Sequence, residues 1–239
     1  MASNVRYRLT KELFPDSEKF QFADVANLIL SLDADKIDGF LLDSAYYSAV
    51  GWEREGYKSI QSDNNTTVSY AFMLSESGMA KKVKGELDEF ITDMKSNGGI
   101  ETLAEKWLSG RKPTEFEDYS TLSGENGILT VAVSNSDMPL SFVPEDIAMG
   151  FDVEIMIAFA KEYGYKLNFA PVDFEAKLSG ITSSKYDVAL GGITVTDERK
   201  EEISFTVSYY ESPVVMVTKG EDSKATHLSD LAGKRVGVM

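Results

Sequence analysis

The stretch "KYDVALGGITVTDERK" (185–200) decides the fold, because a buried strand, a glycine turn and the start of a helix follow one another within it. The segment "YDVALGG" predicts the strand, and "TDERKEEISF" predicts a short helix with Thr196 as its N-cap. Arg199 lies in the first turn of that helix, where the helix dipole disfavours a cation by roughly 0.3–1 kcal/mol. The residue is therefore either a solvated arginine or one that binds an anionic ligand.

Helix and strand patterns alternate on both sides of this stretch, which predicts an α/β fold with largely parallel sheets. The segment "FDVEIMIAFAKEYG" (151–164) predicts an amphipathic helix, with Asp152 near its start and Gly164 as its C-terminal cap. The segment "IDGFLLDS" (37–44) predicts a second buried strand. The polar, unpatterned stretch 109–127 is the best candidate for a linker.

The composition excludes several classes of function. The chain has 239 residues, of which 39 are acidic and 24 basic, so the net charge is −15. Nucleic acid and anionic lipid are therefore not expected as partners, since both require a basic surface. The absence of cysteine excludes disulfides, thiol catalysis and zinc–thiolate sites. No apolar run approaches the length of a membrane span, so a targeting segment of an exported protein would lie outside this chain.

No cofactor, metal or catalytic group is expected. The aspartates of "DADKIDGFLLDS" (33–44) lack the spacing of a calcium loop, and its twelfth residue is serine. His227 is the one histidine, and it lies in a polar connector without a serine or aspartate arrangement nearby.

Residues 128–219, with the following "LSDLAGKRVGV" (228–238), resemble the first part of a type II periplasmic solute-binding protein of the amino-acid-binding family. Further matching segments are "MGFDVEIMIAFAKEYG", "KYDVALGGITVTDERKEEISF" and "SYYESPVVMVTK". Residues 1–110 resemble the second part of the same family, through "LFPDSEKFQF", "LILSLDADKIDGFLLDS", "SYAFML" and "LDEFITDMKSNGGIETLAEKWLSG". The resemblance covers nearly the whole chain, with the family's C-terminal portion first.

This order has two explanations: a circularly permuted single domain, or a slice across two tandem binding domains. In the permuted reading, a larger lobe spans 73–213 and includes the linker 109–127. A smaller lobe combines 1–67 with 219–239. Two hinge strands, at about 68–72 and 214–218, would join the lobes and allow them to close over a ligand.

The resemblance implies that Arg199 grips the α-carboxylate of an amino acid and that Asp43, in the other lobe, binds its α-ammonium. It also implies ligand contacts from Thr194 and Gly192, although turn geometry alone would explain both residues. The remaining expected contacts are Phe174, for which a core role is equally expected, and Ser134, Asp137, Leu140 and Ser3. Asp137 and Leu140 stand where the family usually has aromatic rings, which would favour a polar or cationic ligand side chain.

The resemblance implies a non-enzymatic, extracytoplasmic receptor. It would capture a free amino acid, polar or acidic, between its lobes and deliver it to the permease subunits of an ABC transporter. One alternative is the ligand-sensing domain of a membrane signalling receptor. Another is an enzyme like cyclohexadienyl dehydratase, which would need a carboxyl group of raised pKa in its cleft.

Overall fold

A computed structural model describes residues 5–22, 25–53, 56–61, 66–76, 78–220 and 226–238. The predicted alternation of helix and strand, and with it the α/β class, is confirmed. The helices are α1 (Val5–Leu13), α2 (Val25–Asp33), α3 (Ser44–Glu53), α4 (Gly78–Ser96), α5 (Gly99–Leu108), α6 (Phe151–Tyr163), α7 (Phe174–Thr182) and α8 (Asp197–Lys200). Short 3-10 turns occupy Pro144–Asp146 and Leu228–Leu231.

The strands are β1 (Glu18–Gln21), β2 (Gly39–Asp43), β3 (Tyr57–Gln61), β4 (Thr67–Tyr70), β5 (Met73–Leu74), β6 (Ile128–Val133), β7 (Ser136–Asp137), β8 (Ser141–Phe142), β9 (Lys166–Pro171), β10 (Val188–Ala189), β11 (Ser204–Phe205), β12 (Tyr210–Lys219) and β13 (Arg235–Val238). No helix among the described residues is long and apolar enough to cross a membrane.

The chain divides into two compact units. Unit 1 comprises Met1–Val68 and Ser212–Met239, and unit 2 comprises Ser69–Glu211. The chain passes from one unit to the other within β4 and again within β12. Hinge motion at 68–72 and 214–218, and the permuted order of the lobes, stay predictions.

Unit 1 is built on a sheet with the order β1-β13-β2-β12-β3. Strand β13 pairs in parallel with both β1 and β2, so the C-terminal segment lies between two strands from the start of the chain. Every residue of β2 is buried, as its apolar sequence predicts for a central strand. The last residue of that strand is Asp43.

Unit 2 is built on a sheet with the order β11-β5-β10-β6-β9. Strand β6 pairs in parallel with β9 on one side and with β10 on the other. Helix α6 is almost entirely buried against this sheet. Gly164 caps it in the left-handed conformation, at φ 69°, as the sequence predicts.

The stretch 109–127, predicted to be a linker, lies wholly within unit 2 and connects α5 to β6. It has no helix or strand, yet it packs against its neighbours. Glu117 forms an ion pair with Lys161 of α6, and the ring of Tyr119 meets Phe169 edge-on at 5.0 Å between centroids. This segment therefore belongs to the folded body of unit 2 and does not join the two units.

Candidate functional site

Three parallel strands of unit 2, β6, β9 and β10, end at the same edge of the sheet. The segments that follow them carry most of the predicted contacts. Ser134 and Asp137 follow β6, Phe174 begins the helix after β9, and Thr194 and Arg199 follow β10. Open α/β sheets bind ligands at the carboxyl ends of their strands, so this edge is the candidate site. These five residues are called the strand-end cluster below.

Arg199 is held in place from two sides. Its Nη1 donates a hydrogen bond to the carbonyl oxygen of Thr194 at 2.7 Å. Its guanidinium carbon lies 4.8 Å from the ring centroid of Phe174, a cation–π arrangement. Its own backbone N–H donates to Thr196 Oγ1 at 3.2 Å, which confirms Thr196 as the N-cap of α8. The side chain is fixed but remains half-exposed, as a ligand-binding arginine requires.

Hydrogen bonds to the side chain of Asp152 hold the glycine turn after β10. This carboxylate is fully buried, and its Oδ2 accepts the N–H groups of Gly191 at 2.9 Å and Gly192 at 2.8 Å. The hydroxyl of Tyr209 donates to the same oxygen at 2.7 Å. Burial raises the pKa of Asp152 to about 6, and these three hydrogen bonds only partly oppose that rise.

The N–H group of Gly192 is engaged within the fold, because it donates a hydrogen bond to Asp152. The ligand contact expected of Gly192 stays a prediction. The turn needs glycine for its backbone, because φ is 120° at Gly191 and 60° at Gly192. A Cβ atom at Gly191 would also lie 2.8 Å from both Lys177 Nζ and Ser134 Oγ.

A buried lysine lies under the cluster. Lys177 of α7 is 1% exposed, and its Nζ donates to the carbonyl oxygen of Leu190 at 2.7 Å and to Ser134 Oγ. The Ser134 hydroxyl in turn donates to Asp137 Oδ2. Burial lowers the pKa of Lys177 to about 8, opposed by the negative charges of Asp137, Asp152 and Asp173.

Two further residues expected to contact a ligand are buried. The hydroxyl of Ser134 is engaged by Lys177 and Asp137, and its contact with a ligand stays a prediction. Leu140 was expected to line the pocket, but its side chain is fully buried in the core. Its carbonyl oxygen accepts the N–H of Asp152 at 3.0 Å, which draws this turn onto the start of α6.

In unit 1, Asp43 is already engaged by an internal cation. Arg6 of α1 donates to both of its carboxylate oxygens, from Nε at 3.2 Å and from Nη2 at 2.8 Å. The guanidinium also lies 5.0 Å from the ring centroid of Tyr46. Asp43 is 1% exposed, so the role expected for it, binding an α-ammonium group, would compete with Arg6. The predicted contact Ser3 lies outside the described residues.

Two concavities in unit 2 are lined by none of the residues of the strand-end cluster. One, of about 580 Å³, is bordered by β11 and α8 and includes Phe205 and Lys200. The other, of about 240 Å³, includes Tyr210 and Glu101. Neither is lined by a predicted contact residue. Within the described part of the chain, no group of three or more histidine, cysteine, aspartate or glutamate residues could hold a metal ion.

Sequence reasoning missed four polar residues: Arg6, Asp152, Lys177 and Tyr209. For two of them, Asp152 and Lys177, the sequence pattern contained an indication of a buried charge. Asp152 is, with Glu154, one of two acids in the mostly apolar segment 151–160 of α6, and Lys177 stands on the inner face of α7. A charged residue at such a position is buried only where it is paired, which makes it a marker of a polar network. Arg6 and Tyr209 gave no comparable signal.

Comparisons with known proteins identify relatives for part of the chain. A family model described as "Bacterial extracellular solute-binding proteins, family 3" matches residues 129–231. The arginine-binding extracellular protein ArtP of Bacillus subtilis (strain 168) is 36% identical over 110 residues, which cover 46% of this chain and 43% of ArtP. The L-cystine-binding protein TcyJ of Escherichia coli (strain K12) is 31% identical over 140 residues, 57% of this chain and 53% of TcyJ.

A solved structure also matches in part. The crystal structure of the arginine-bound form of domain 1 from TmArgBP is 27% identical, with a TM-score of 0.33, and the match covers 41% of this chain and 83% of that chain. The chain spans about half the length of the curated relatives it matches.

Proposed function

We propose that this chain captures a free amino acid with a polar side chain, because residues 129–231 match the model of family 3 of the bacterial extracellular solute-binding proteins. The relatives are named as amino-acid-binding proteins, which supports this class of ligand. We further propose an extracytoplasmic location and delivery of the ligand to the permease subunits of an ABC transporter.

The arrangement of Arg199 is the observation on which this proposal depends. A planar guanidinium binds a carboxylate through two parallel hydrogen bonds, which fixes both the distance and the orientation of the ligand. The Thr194 carbonyl and the Phe174 ring hold that guanidinium before a ligand arrives. Such preorganisation reduces the entropy that binding must overcome.

The size of a free amino acid is compatible with a useful affinity. A ligand of roughly ten heavy atoms bound at micromolar strength gains about 0.8 kcal/mol per atom, below the ceiling of about 1.5 kcal/mol for small ligands. One charge pair with Arg199 supplies a large share of that energy. Its loss would cost about 2–5 kcal/mol if the pair is desolvated.

The test is calorimetry of the chain with each of the twenty common amino acids. We expect at least one to bind, and Arg199→Ala to weaken that binding by about 30-fold or more. Lys200→Ala is the matched control, because Lys200 lies in the same turn but is 58% exposed, and its one ion pair within the described residues is with Asp197. No heat from any amino acid, or equal binding by the Arg199 variant, would overturn the proposal.

The enzymatic alternative receives less support from the same site. Its requirement is a carboxyl group of raised pKa that reaches the substrate. In unit 2 the carboxyl with a raised pKa is that of Asp152, which is fully buried and engaged by two backbone N–H groups. An assay for product formed from prephenate or arogenate separates the two functions directly.

A further inference from the structure

We infer that Asp137 forms a subsite for a positively charged ligand side chain, so that the captured amino acid is cationic rather than neutral or acidic. The inference rests on the proposed function, since it assumes that Arg199 receives the α-carboxylate. It depends on three features of unit 2: how Asp137 is held, which charges surround it, and which groups a ligand can reach.

The backbone and the side chain of Asp137 are both fixed. Asp137 pairs with Ser141 across the two-stranded β7–β8 ladder, and its carbonyl oxygen accepts the N–H of Leu140 at 2.9 Å. Its Oδ2 accepts the hydroxyl of Ser134, which Lys177 holds in turn. Among the described residues, Ser134 is the one donor to this carboxylate, and Asp137 is half-exposed. Oδ1 is therefore oriented and left for an external donor.

The charges around Asp137 favour a cation. Lys177 is the buried cation behind this carboxylate, and the negative charges of Asp137, Asp152 and Asp173 act on it. The buried carboxylate of Asp152 offsets the charge of Lys177, Asp173 is exposed to solvent, and Arg199 would be neutralised by the α-carboxylate of the ligand. The negative charge of Asp137 is then left unbalanced. A ligand ammonium or guanidinium group would reduce this imbalance.

An acidic ligand side chain has no comparable partner here. Lys177 is 1% exposed, and its amine is committed to Leu190 and Ser134, so an anion from outside cannot reach it. Such an anion would instead meet the carboxylate of Asp137. Like charges brought together at a desolvated site oppose binding strongly, so the same residue that attracts a cation rejects an acid.

The experiment compares four ligands by calorimetry: arginine, lysine, glutamine and glutamate. We expect arginine or lysine to bind at least about tenfold tighter than glutamine, and glutamate to bind most weakly. Asp137→Asn should weaken binding of the cationic ligand by about 30-fold or more and leave glutamine within about threefold. This split distinguishes a charge subsite from general damage to the fold, which would weaken all ligands together.

Two further variants sharpen the test. Asp173→Asn removes the same charge at the same edge of the sheet, while asparagine still caps α7, so cationic ligands should bind within about threefold of the unaltered chain. Ser134→Ala keeps the charge of Asp137 but frees its side chain. We expect it to weaken the cationic ligand by about fivefold, with glutamine unchanged, because an oriented carboxylate loses less entropy on binding.

The possible failures are distinguishable. Tighter binding of glutamine or glutamate than of arginine and lysine overturns the subsite while the proposed amino-acid receptor stands. The same holds if Asp137→Asn leaves the order of affinities unchanged. Absence of binding for every amino acid overturns both the subsite and the proposed function.

Discussion

The substitution Asp152→Asn tests the buried network under the glycine turn through its effect on the pH dependence of stability. The ordinary pKa of an aspartate, as in the unfolded chain, is 3.8, and burial raises the pKa of Asp152 to about 6 in the folded chain. Between these two pH values the folded state holds a proton that the unfolded state has lost. The free energy of unfolding therefore falls as pH rises through this window. Asparagine has no proton to lose, so the variant lacks this contribution.

The magnitude follows from the pKa values. Each unit of difference between the folded and unfolded pKa corresponds to about 1.4 kcal/mol. Full ionisation of Asp152 therefore lowers the free energy of unfolding by about 3 kcal/mol relative to the protonated form. Between pH 4.5 and pH 7.5, about 2 kcal/mol of this difference is expected to develop. The free energy of unfolding of the unaltered chain, minus that of Asp152→Asn, should fall by this amount over the interval.

The assay is urea unfolding followed by circular dichroism at several pH values from 4.5 to 7.5, with both proteins measured side by side. Subtraction removes the contributions of the other carboxylates, which both proteins share. Tyr209→Phe is a useful companion, because loss of its hydrogen bond should raise the pKa of Asp152 further and extend the fall to higher pH. A difference that is constant with pH, or that rises, would refute the reasoning.

Two other predictions concern stability. Asp43→Ala removes both hydrogen bonds from Arg6. It should lower the free energy of unfolding at pH 7, measured by urea unfolding, by about 2–4 kcal/mol. A decrease of less than about 0.5 kcal/mol would contradict this expectation. Gly150→Ala places a Cβ atom 2.2 Å from the Leu140 carbonyl oxygen at φ +133°, and should cost more than about 2 kcal/mol. Gly85→Ala, in α4, is its control, because no atom outside the neighbouring backbone lies within 4 Å of the new Cβ atom. This variant should stabilise the chain by about 0.5–1 kcal/mol. Equal changes in the thermal unfolding midpoint for the two variants would contradict both expectations.

The α/β class and most element positions were predictable from local signals. Helix α6 forms where expected and ends at the expected glycine, although nearly every residue of its first three turns is buried, where an amphipathic pattern was expected. Thr196 caps α8 as its side chain predicts. The positions of these helices and caps share one cause: hydrophobic period, caps and strand ends are properties of short windows of sequence. Phe174 and Arg199 were assigned to one site by the family resemblance. The structure places the guanidinium 4.8 Å from the ring centroid, and their contact with a ligand stays a prediction.

The partners of the buried charges were not predictable in the same way. Ser134 and Gly192 were expected to contact a ligand, but Lys177 engages the first and Asp152 the second. Arg6 engages the carboxylate of Asp43 across 37 positions of sequence. No short window contains both members of any of these pairs.

The sequence by itself determined where helices and strands begin, that the sheets are buried, and that Arg199 follows a strand end. Only the tertiary structure decided which carboxylates are buried and hydrogen-bonded within the fold and which one is half-exposed. The physical reason is that desolvation depends on everything packed around a group: Asp152 and Asp137 are both aspartates near turns, but the first is enclosed by three donors and the second faces outward.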